Sequence, residues 1–134
     1  MEITEIMDNL SYLDSWEDKY RYIIELGESL PPLPAELQTE EWKVKGCQSQ
    51  VWLVPKKDTD GTLSFLGTSD AVIVKGLISI VLSIYNNKTP ADIAAIDIGG
   101  IFDNLGLHEH LSPSRRNGLE AMVEKIKHYA SVMG

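Results

Sequence analysis

Trp42-Lys43-Val44-Lys45-Gly46-Cys47-Gln48-Ser49-Gln50-Val51-Trp52-Leu53-Val54-Pro55, then Lys56-Lys57-Asp58-Thr59-Asp60-Gly61, then Thr62-Leu63-Ser64-Phe65-Leu66-Gly67, is the stretch that decides the fold. From Trp42 to Val54 the pattern is β, carried by Val44, Val51, Trp52, Leu53 and Val54, and Pro55 is expected to end it. In unbroken alternation Cys47, Ser49, Val51 and Leu53 would share a face. Gly46 interrupts that regularity, because glycine inside a strand pattern marks a bulge or bend, and so Cys47 is expected where the chain turns into the strand. Asp58-Thr59-Asp60-Gly61 reads as a hairpin turn, with Asp60-Gly61 supplying the positive-φ positions, and Thr62 to Gly67 reads as the returning strand.

On the N-terminal side the period changes from two to 3.6. Ile3, Ile6, Met7 and Leu10 recur at helical spacing behind Thr4 as cap. Asp14, with Glu17 three residues on as in a capping box, opens a second helix whose face holds Trp16, Tyr20, Ile23, Ile24 and Gly27, with Gly27 also a stop. Leu30-Pro31-Pro32-Leu33-Pro34 is a stiff connector, since proline lacks an N–H and restricts its predecessor. On the C-terminal side Ala71 to Val74 fits either a third short strand or the lead into a helix. Leu77 to Tyr85 is apolar nearly all round, as a buried central helix is, and ends at Asn86-Asn87. Thr89-Pro90-Ala91-Asp92 and Ser112-Pro113 both start helices with a cap followed by proline. Leu119, Met122, Val123, Ile126, Tyr129 and Ala130 form the stripe of a closing amphipathic helix. The class is therefore α+β: a small antiparallel sheet of about three strands packed with helices.

At 134 residues the chain fits one domain, read here as residues 1–134. A formal net charge of −8 with no basic cluster opposes nucleic-acid binding, so the partners expected are proteins. The apolar run from Val72 to Tyr85 is interrupted by Lys75 and Gly76 and falls short of the ~20 residues that span a bilayer. The acidic start, Met1-Glu2-Ile3-Thr4-Glu5, lacks the features of a secretory signal. One cysteine forms no internal disulfide and favours a reducing compartment, the cytoplasm.

Cys47 is the most informative residue for chemistry. A cysteine taken blind is more often an inert buried hydrophobe. Here its neighbours are small or polar, and Lys43 and Lys45 stand close in sequence, where cations would favour the nucleophilic thiolate. A dithiol oxidoreductase needs a resolving cysteine and an iron–sulfur scaffold needs about three or four ligands, and one cysteine supplies neither. His108 and His110 form a His-X-His pair, more often a solvated feature than a metal site, and no metal is expected. A Cys47 pairing with His108 or His110 for hydrolysis lacks flanking signatures. Gly99-Gly100 carries no phosphate-loop pattern and reads as a helix turn or packing contact. Trp16, Trp42 and Trp52 read as packing residues, Trp42 least clearly. Arg115 and Arg116 sit where the helix dipole disfavours cations, which an anionic contact would offset.

Four blocks of the chain together resemble the SufE/CsdE family of sulfur acceptors for cysteine desulfurases. They are Trp16-Glu17-Asp18-Lys19-Tyr20 with Tyr22-Ile23-Ile24-Glu25-Leu26-Gly27, and Val44-Lys45-Gly46-Cys47-Gln48-Ser49-Gln50-Val51-Trp52. Further on are Ser69-Asp70-Ala71 with Ile73-Val74-Lys75-Gly76-Leu77, and Leu111-Ser112-Pro113-Ser114-Arg115 with Asn117-Gly118-Leu119. The resemblance covers nearly the whole chain in order and is weakest around Gly99-Gly100.

What it implies is a fold similar to iron–sulfur scaffold (IscU-like) proteins, with Cys47 as acceptor on a loop at one end. It implies a cysteine desulfurase partner of the SufS/CsdA type, which carries the pyridoxal phosphate, so that this chain needs no cofactor of its own. Sulfur would be taken by transpersulfidation, the desulfurase would be stimulated, and an iron–sulfur scaffold complex would follow downstream. Gly46, Gln48, Ser49, Asp70, Lys75 and Arg115 match positions around the acceptor and take shelter or docking roles on the resemblance. Such a protein turns nothing over alone. A persulfide must be hidden from oxidants yet enter another protein, so the segment from Gly46 to Ser49 is expected to swing in and out. A stand-alone cysteine hydrolase or transferase and a non-catalytic binding module remain as alternatives.

Overall fold

Alternation and turn chemistry build the centre of the molecule. In the computed structural model, which describes residues 2–133, with His108 described by its backbone alone, β1 (Val51–Lys57) runs antiparallel to β2 (Leu63–Ser69). Val51 stands opposite Ser69 and Lys57 opposite Leu63. Asp58 N–H donates to the Thr62 carbonyl at 2.8 Å, closing the turn. Only Gly61 there uses the left-handed region, at φ +86°. Asp60, expected to share it, instead accepts the Thr62 N–H at 3.1 Å through its carboxylate.

Pro55 does not end the strand; it lies within β1, opposite Phe65. An antiparallel ladder leaves every second pair without mutual hydrogen bonds. Phe65 belongs to such a pair, because its N–H donates outward to Asn86 Oδ1 at 2.8 Å, and so proline opposite it removes no ladder bond. The segment from Trp42 to Val54, read as one β run, is divided. Lys43 bridges to Trp52, Val44 N–H donates to the Val51 carbonyl at 2.8 Å, and the residues between form a loop. A second single bridge, Leu63 with Lys88, extends the other edge, so two full strands with a bridge on either side fill the place of the small sheet.

Ala71 to Val74 resolves as the start of a helix: α3 spans Val72–Tyr85, and ten of its 14 residues are buried. It is the central helix that the apolar run implied, and Asn87 past its end sits at φ +62°. Before the sheet come α1 (Ile3–Ser11), which buries Ile6 and Leu10, and α2 (Trp16–Glu28), which buries Ile23 and Leu26. Their starts differ by a residue or two from the expected ones. Glu5 and Ile6 N–H groups donate to the Glu2 carbonyl, which makes Thr4 part of α1. Ser15 rather than Asp14 caps α2, accepting the Asp18 N–H at 3.1 Å.

Gly27 is not a stop, because α2 continues to Glu28. Its role is close approach. A Cβ at Gly27 would stand 2.6 Å from the Gly76 nitrogen of α3, and one at Gly76 would run into the Ile23 carbonyl oxygen. The paired glycines let two helix backbones touch, which stacks α2 on α3.

Thr89 and Ser112 cap as read from the sequence. Thr89 Oγ1 accepts the Asp92 N–H at the start of α4 (Pro90–Ala95). Asp97 caps α5 (Ile98–Leu105) by accepting the Gly100 N–H, which makes Gly99-Gly100 a helix turn. After α6 (Leu107–His110), Ser112 Oγ accepts the Arg115 N–H at 3.4 Å and opens α7 (Pro113–Met133). The expected stripe of α7 is buried, and Tyr129 O–H donates to the Leu53 carbonyl at 3.1 Å, tying α7 to β1. The tryptophans pack. Trp52 is buried, Trp42 lies 6.4 Å from the Tyr129 ring, and Trp16 stacks at 4.0 Å on His110. Among the described residues no helix is long and apolar enough to cross a membrane.

Candidate functional site

The loop between Lys45 and Gln50 is fastened at both roots. Val44 N–H to the Val51 carbonyl closes it on one side. On the other, Gln50 N–H donates to Asp70 Oδ1 at 3.0 Å and Asp70 N–H returns a bond to the Gln50 carbonyl at 3.3 Å. Gly46 at φ +89° turns the chain, a conformation that disfavours any residue with a Cβ.

That turn redirects the side chains that follow it. Lys43 and Lys45 were expected to set positive charge beside the thiol, but Val44 points inward at 2% exposure, so the residues alternating with it point out. They line a separate surface cleft with Glu40, Glu41, Lys125 and His128, and Lys43 pairs with Glu40 at 3.7 Å. Had alternation continued, Cys47 would have joined them. The positive φ at Gly46 instead sends it across to α7, where it lies half-buried. Its thiol donates a weak hydrogen bond to the Gly118 carbonyl, Sγ to O 3.7 Å. Burial pushes the Cys47 thiol above its ordinary value of 9.0, which disfavours the thiolate while the side chain lies against α7.

Beside the thiol opens a cleft of about 270 Å³. Its floor is apolar, from Val51 of β1, Val74 and Leu77 of α3, and Leu119 and Met122 of α7. Its rim is polar, from Gln48, Ser49, Ser112, Ser114 and Arg115. The sheet end, the start of α3 and the start of α7 converge here, so three elements distant in sequence shape one site.

Of the residues singled out from the sequence, Cys47, Gln48, Ser49 and Arg115 share this cleft. Gly46 supplies the turn and Asp70 fastens the loop root, and neither lines the cleft. Lys75 does not join them: its Cβ faces Gly27 at the α2–α3 crossing. Gly118, Ser112 and Ser114 also line the cleft, beyond the site residues singled out from the sequence. The Ser112-Pro113 helix start, and a glycine inside the α7 stripe where alanine would favour helix, were the available signals. His110 is engaged on Trp16, whose ring also carries Lys19 Nζ at 5.3 Å, and the side chain of His108 lies outside the described residues. Among the described residues no histidine hydrogen-bonds Cys47, and no group of three or more metal-ligating side chains is assembled.

Comparison with known proteins identifies the family. Residues 4–130 match the model of the SufE family, the Fe-S metabolism associated domain. An uncharacterized SufE-like protein of Rhizobium meliloti is 49% identical over 128 residues, covering 93% of this chain and 91% of that one. Another from Rhizobium etli is 50% identical over 133 residues, covering 97% and 90%. The solution structure of a hypothetical protein from Thermus thermophilus superposes with a TM-score of 0.76 over 96% of this chain and 93% of its own, at 19% identity, and so shares the fold. The chain belongs to the SufE family of proteins associated with iron–sulfur metabolism.

Proposed function

We propose that the protein is a sulfur carrier that takes the terminal sulfur of a cysteine desulfurase persulfide onto Cys47 and passes it toward iron–sulfur cluster assembly. The observation that carries this reading is the placement of the chain's one thiol, half-buried on a fastened loop beside a cleft with an apolar floor. In the transfer, the Cys47 thiolate attacks the outer sulfur of the desulfurase persulfide. A new S–S bond forms on Cys47, the old S–S bond breaks, and the electron pair leaves with the desulfurase cysteine as thiolate. No net oxidation occurs. With one cysteine in the chain, no second thiol discharges the persulfide from within.

Burial sets the order of events. Desolvation disfavours the thiolate at rest, which slows its reaction with oxidants. As the loop swings out on its Gly46 hinge, water or the partner's site surrounds the sulfur, and loss of the burial penalty raises the share present as thiolate where it meets the persulfide. Asp70 is the clamp that holds the loop in. Gln48, Ser49 and Arg115 form the rim that meets the partner, and Lys75 supports the α2–α3 crossing behind it. The pyridoxal phosphate belongs to the desulfurase, of the SufS/CsdA type, and a reducing compartment such as the cytoplasm keeps the lone thiol free. The whole chain acts as one carrier unit with no turnover of its own.

Emptying the desulfurase persulfide frees that enzyme for its next cycle, so alanine release from L-cysteine tests the reading. Wild-type protein is expected to accelerate it, and Cys47→Ser to give none of the acceleration. Equal stimulation by Cys47→Ser would mean a binding module instead.

A further inference from the structure

We infer that the open edge of β2 is a docking site for an extended, acidic segment of a partner protein, which adds to the sheet as a third full strand. The inference does not depend on the sulfur-carrier reading. The groove it uses shares no lining residue with the Cys47 cleft.

The edge is closed over its first part only. Leu63 N–H donates to the Lys88 carbonyl and Asn87 N–H to the Leu63 carbonyl, both at 2.8 Å, and the Asn86 side chain then takes the Phe65 N–H. That stretch imitates a strand for a single bridge and stops at the end of α3. Phe65 N–H points away from β1, so the alternation of an antiparallel ladder turns the Phe65 carbonyl and the Gly67 N–H and carbonyl outward as well. None of these three groups has a hydrogen-bond partner among the described residues. Gly67 is closely packed, since a Cβ there would stand 2.8 Å from Leu53 Cδ2 and 3.0 Å from Ile78 Cγ2. An N–H left unpaired in so packed a place is rare in folded chains and calls for a partner from outside.

A groove of about 740 Å³ follows this edge, lined by Phe65, Leu66 and Gly67 of β2 and by Ser79 and Leu82 of α3. A strand paired to β2 would lie about 4.8 Å from it. Leu66, 37% exposed, would then meet alternate side chains of the incoming strand. Main-chain bonds give such a strand its affinity, and the side-chain contacts give it specificity.

Charge sets the chemistry of the occupant. The chain carries a formal −8, yet the charged residues lining the groove are Lys56, Lys88 and Glu2. Both lysines stand at one end, Lys56 opposite Ser64 in the ladder and Lys88 bridged to Leu63. Lys56 pairs with Asp58 only at 4.0 Å, and Lys88 has no ion pair among the described residues. An acidic end followed by alternating apolar residues suits the groove; a basic end does not.

The probe is a synthetic peptide of two glutamates followed by alternating valine and threonine, titrated into the ¹⁵N-labelled full chain. The Gly67 amide signal is expected to move in a saturable way and its hydrogen exchange to slow. The same peptide N-methylated at alternate amides should not bind, and one with lysines for the glutamates should bind about fivefold more weakly. Lys56→Glu with Lys88→Glu should weaken the acidic probe likewise, and about 0.5 M sodium chloride should do so without any substitution. Cys47→Ser is expected to bind as wild type does, which keeps this test apart from that of sulfur transfer. A Gly67 signal unmoved at about 5 mM probe, or moved equally by the N-methylated peptide, would overturn the inference. So would a shift that appears on concentrating the protein alone, since a second copy would then be the occupant.

Discussion

Removing the Asp70 side chain tests the loop clamp quantitatively. Asp70→Ala deletes the acceptor of the Gln50 N–H at 3.0 Å but leaves the backbone bond from Asp70 N–H to the Gln50 carbonyl. A hydrogen bond to a charged acceptor at an exposed position is worth about 1 kcal/mol, well below its buried value. At 25 °C about 1 kcal/mol corresponds to roughly a fivefold change in the population of open loop. Alkylation reads that population, because burial opposes thiolate formation in the closed loop and the reagent meets thiolate mainly in the open one. With iodoacetamide at pH 8, Asp70→Ala is expected to raise the Cys47 rate about fivefold while the thermal midpoint drops by only about 3 °C. Asp70→Asn keeps an oxygen acceptor without charge and should fall between. A rate equal to or slower than wild type, or a rise accompanied by global unfolding, would refute the clamp.

Two further predictions concern titration and burial. The Cys47 thiol is raised above its ordinary value in the folded chain, so closure of the loop is fully favoured below the unfolded-state pKa and is lost as pH rises through the folded one; the alkylation-versus-pH profile should have its midpoint above 9.0, and a midpoint near 8 would contradict burial of the thiol. Two buried tyrosines should respond oppositely to loss of the hydroxyl in denaturant melts. Tyr129→Phe strips the Leu53 carbonyl of its donor and should cost about 1 kcal/mol, whereas Tyr85, whose hydroxyl has no partner among the described residues and whose pKa is pushed up to about 12, mainly by burial, should tolerate phenylalanine with no loss.

Much of the fold was legible because it is written in local chemistry. The Thr89-Pro90 and Ser112-Pro113 starts, the Gly61 turn and the apolar α3 run each encode their element within a few residues. What misled was information held by a neighbour. Pro55 belongs inside β1 because of a bond that Phe65 makes to Asn86, more than 20 positions away, and Gly27 serves a crossing with Gly76 rather than an end. The same holds at the site. Cys47 stood out in its motif, and Gly46 marked the bend, but sequence proximity of Lys43 and Lys45 gave the wrong electrostatics, since one left-handed residue redirects the side chains that follow. The cleft floor was hidden in residues such as Leu77 and Met122 that read only as core, and Gly118 acquires meaning once Cys47 is seen lying on it.

Intact mass of the carrier after reaction with a SufS/CsdA-type desulfurase and L-cysteine tests most directly whether Cys47 receives sulfur. Because the chain has one cysteine, a stable gain of one sulfur that reductant reverses and that Cys47→Ser abolishes assigns the cargo to this loop. A carrier that stays at its unmodified mass while the desulfurase turns over beside it would contradict sulfur transfer to Cys47.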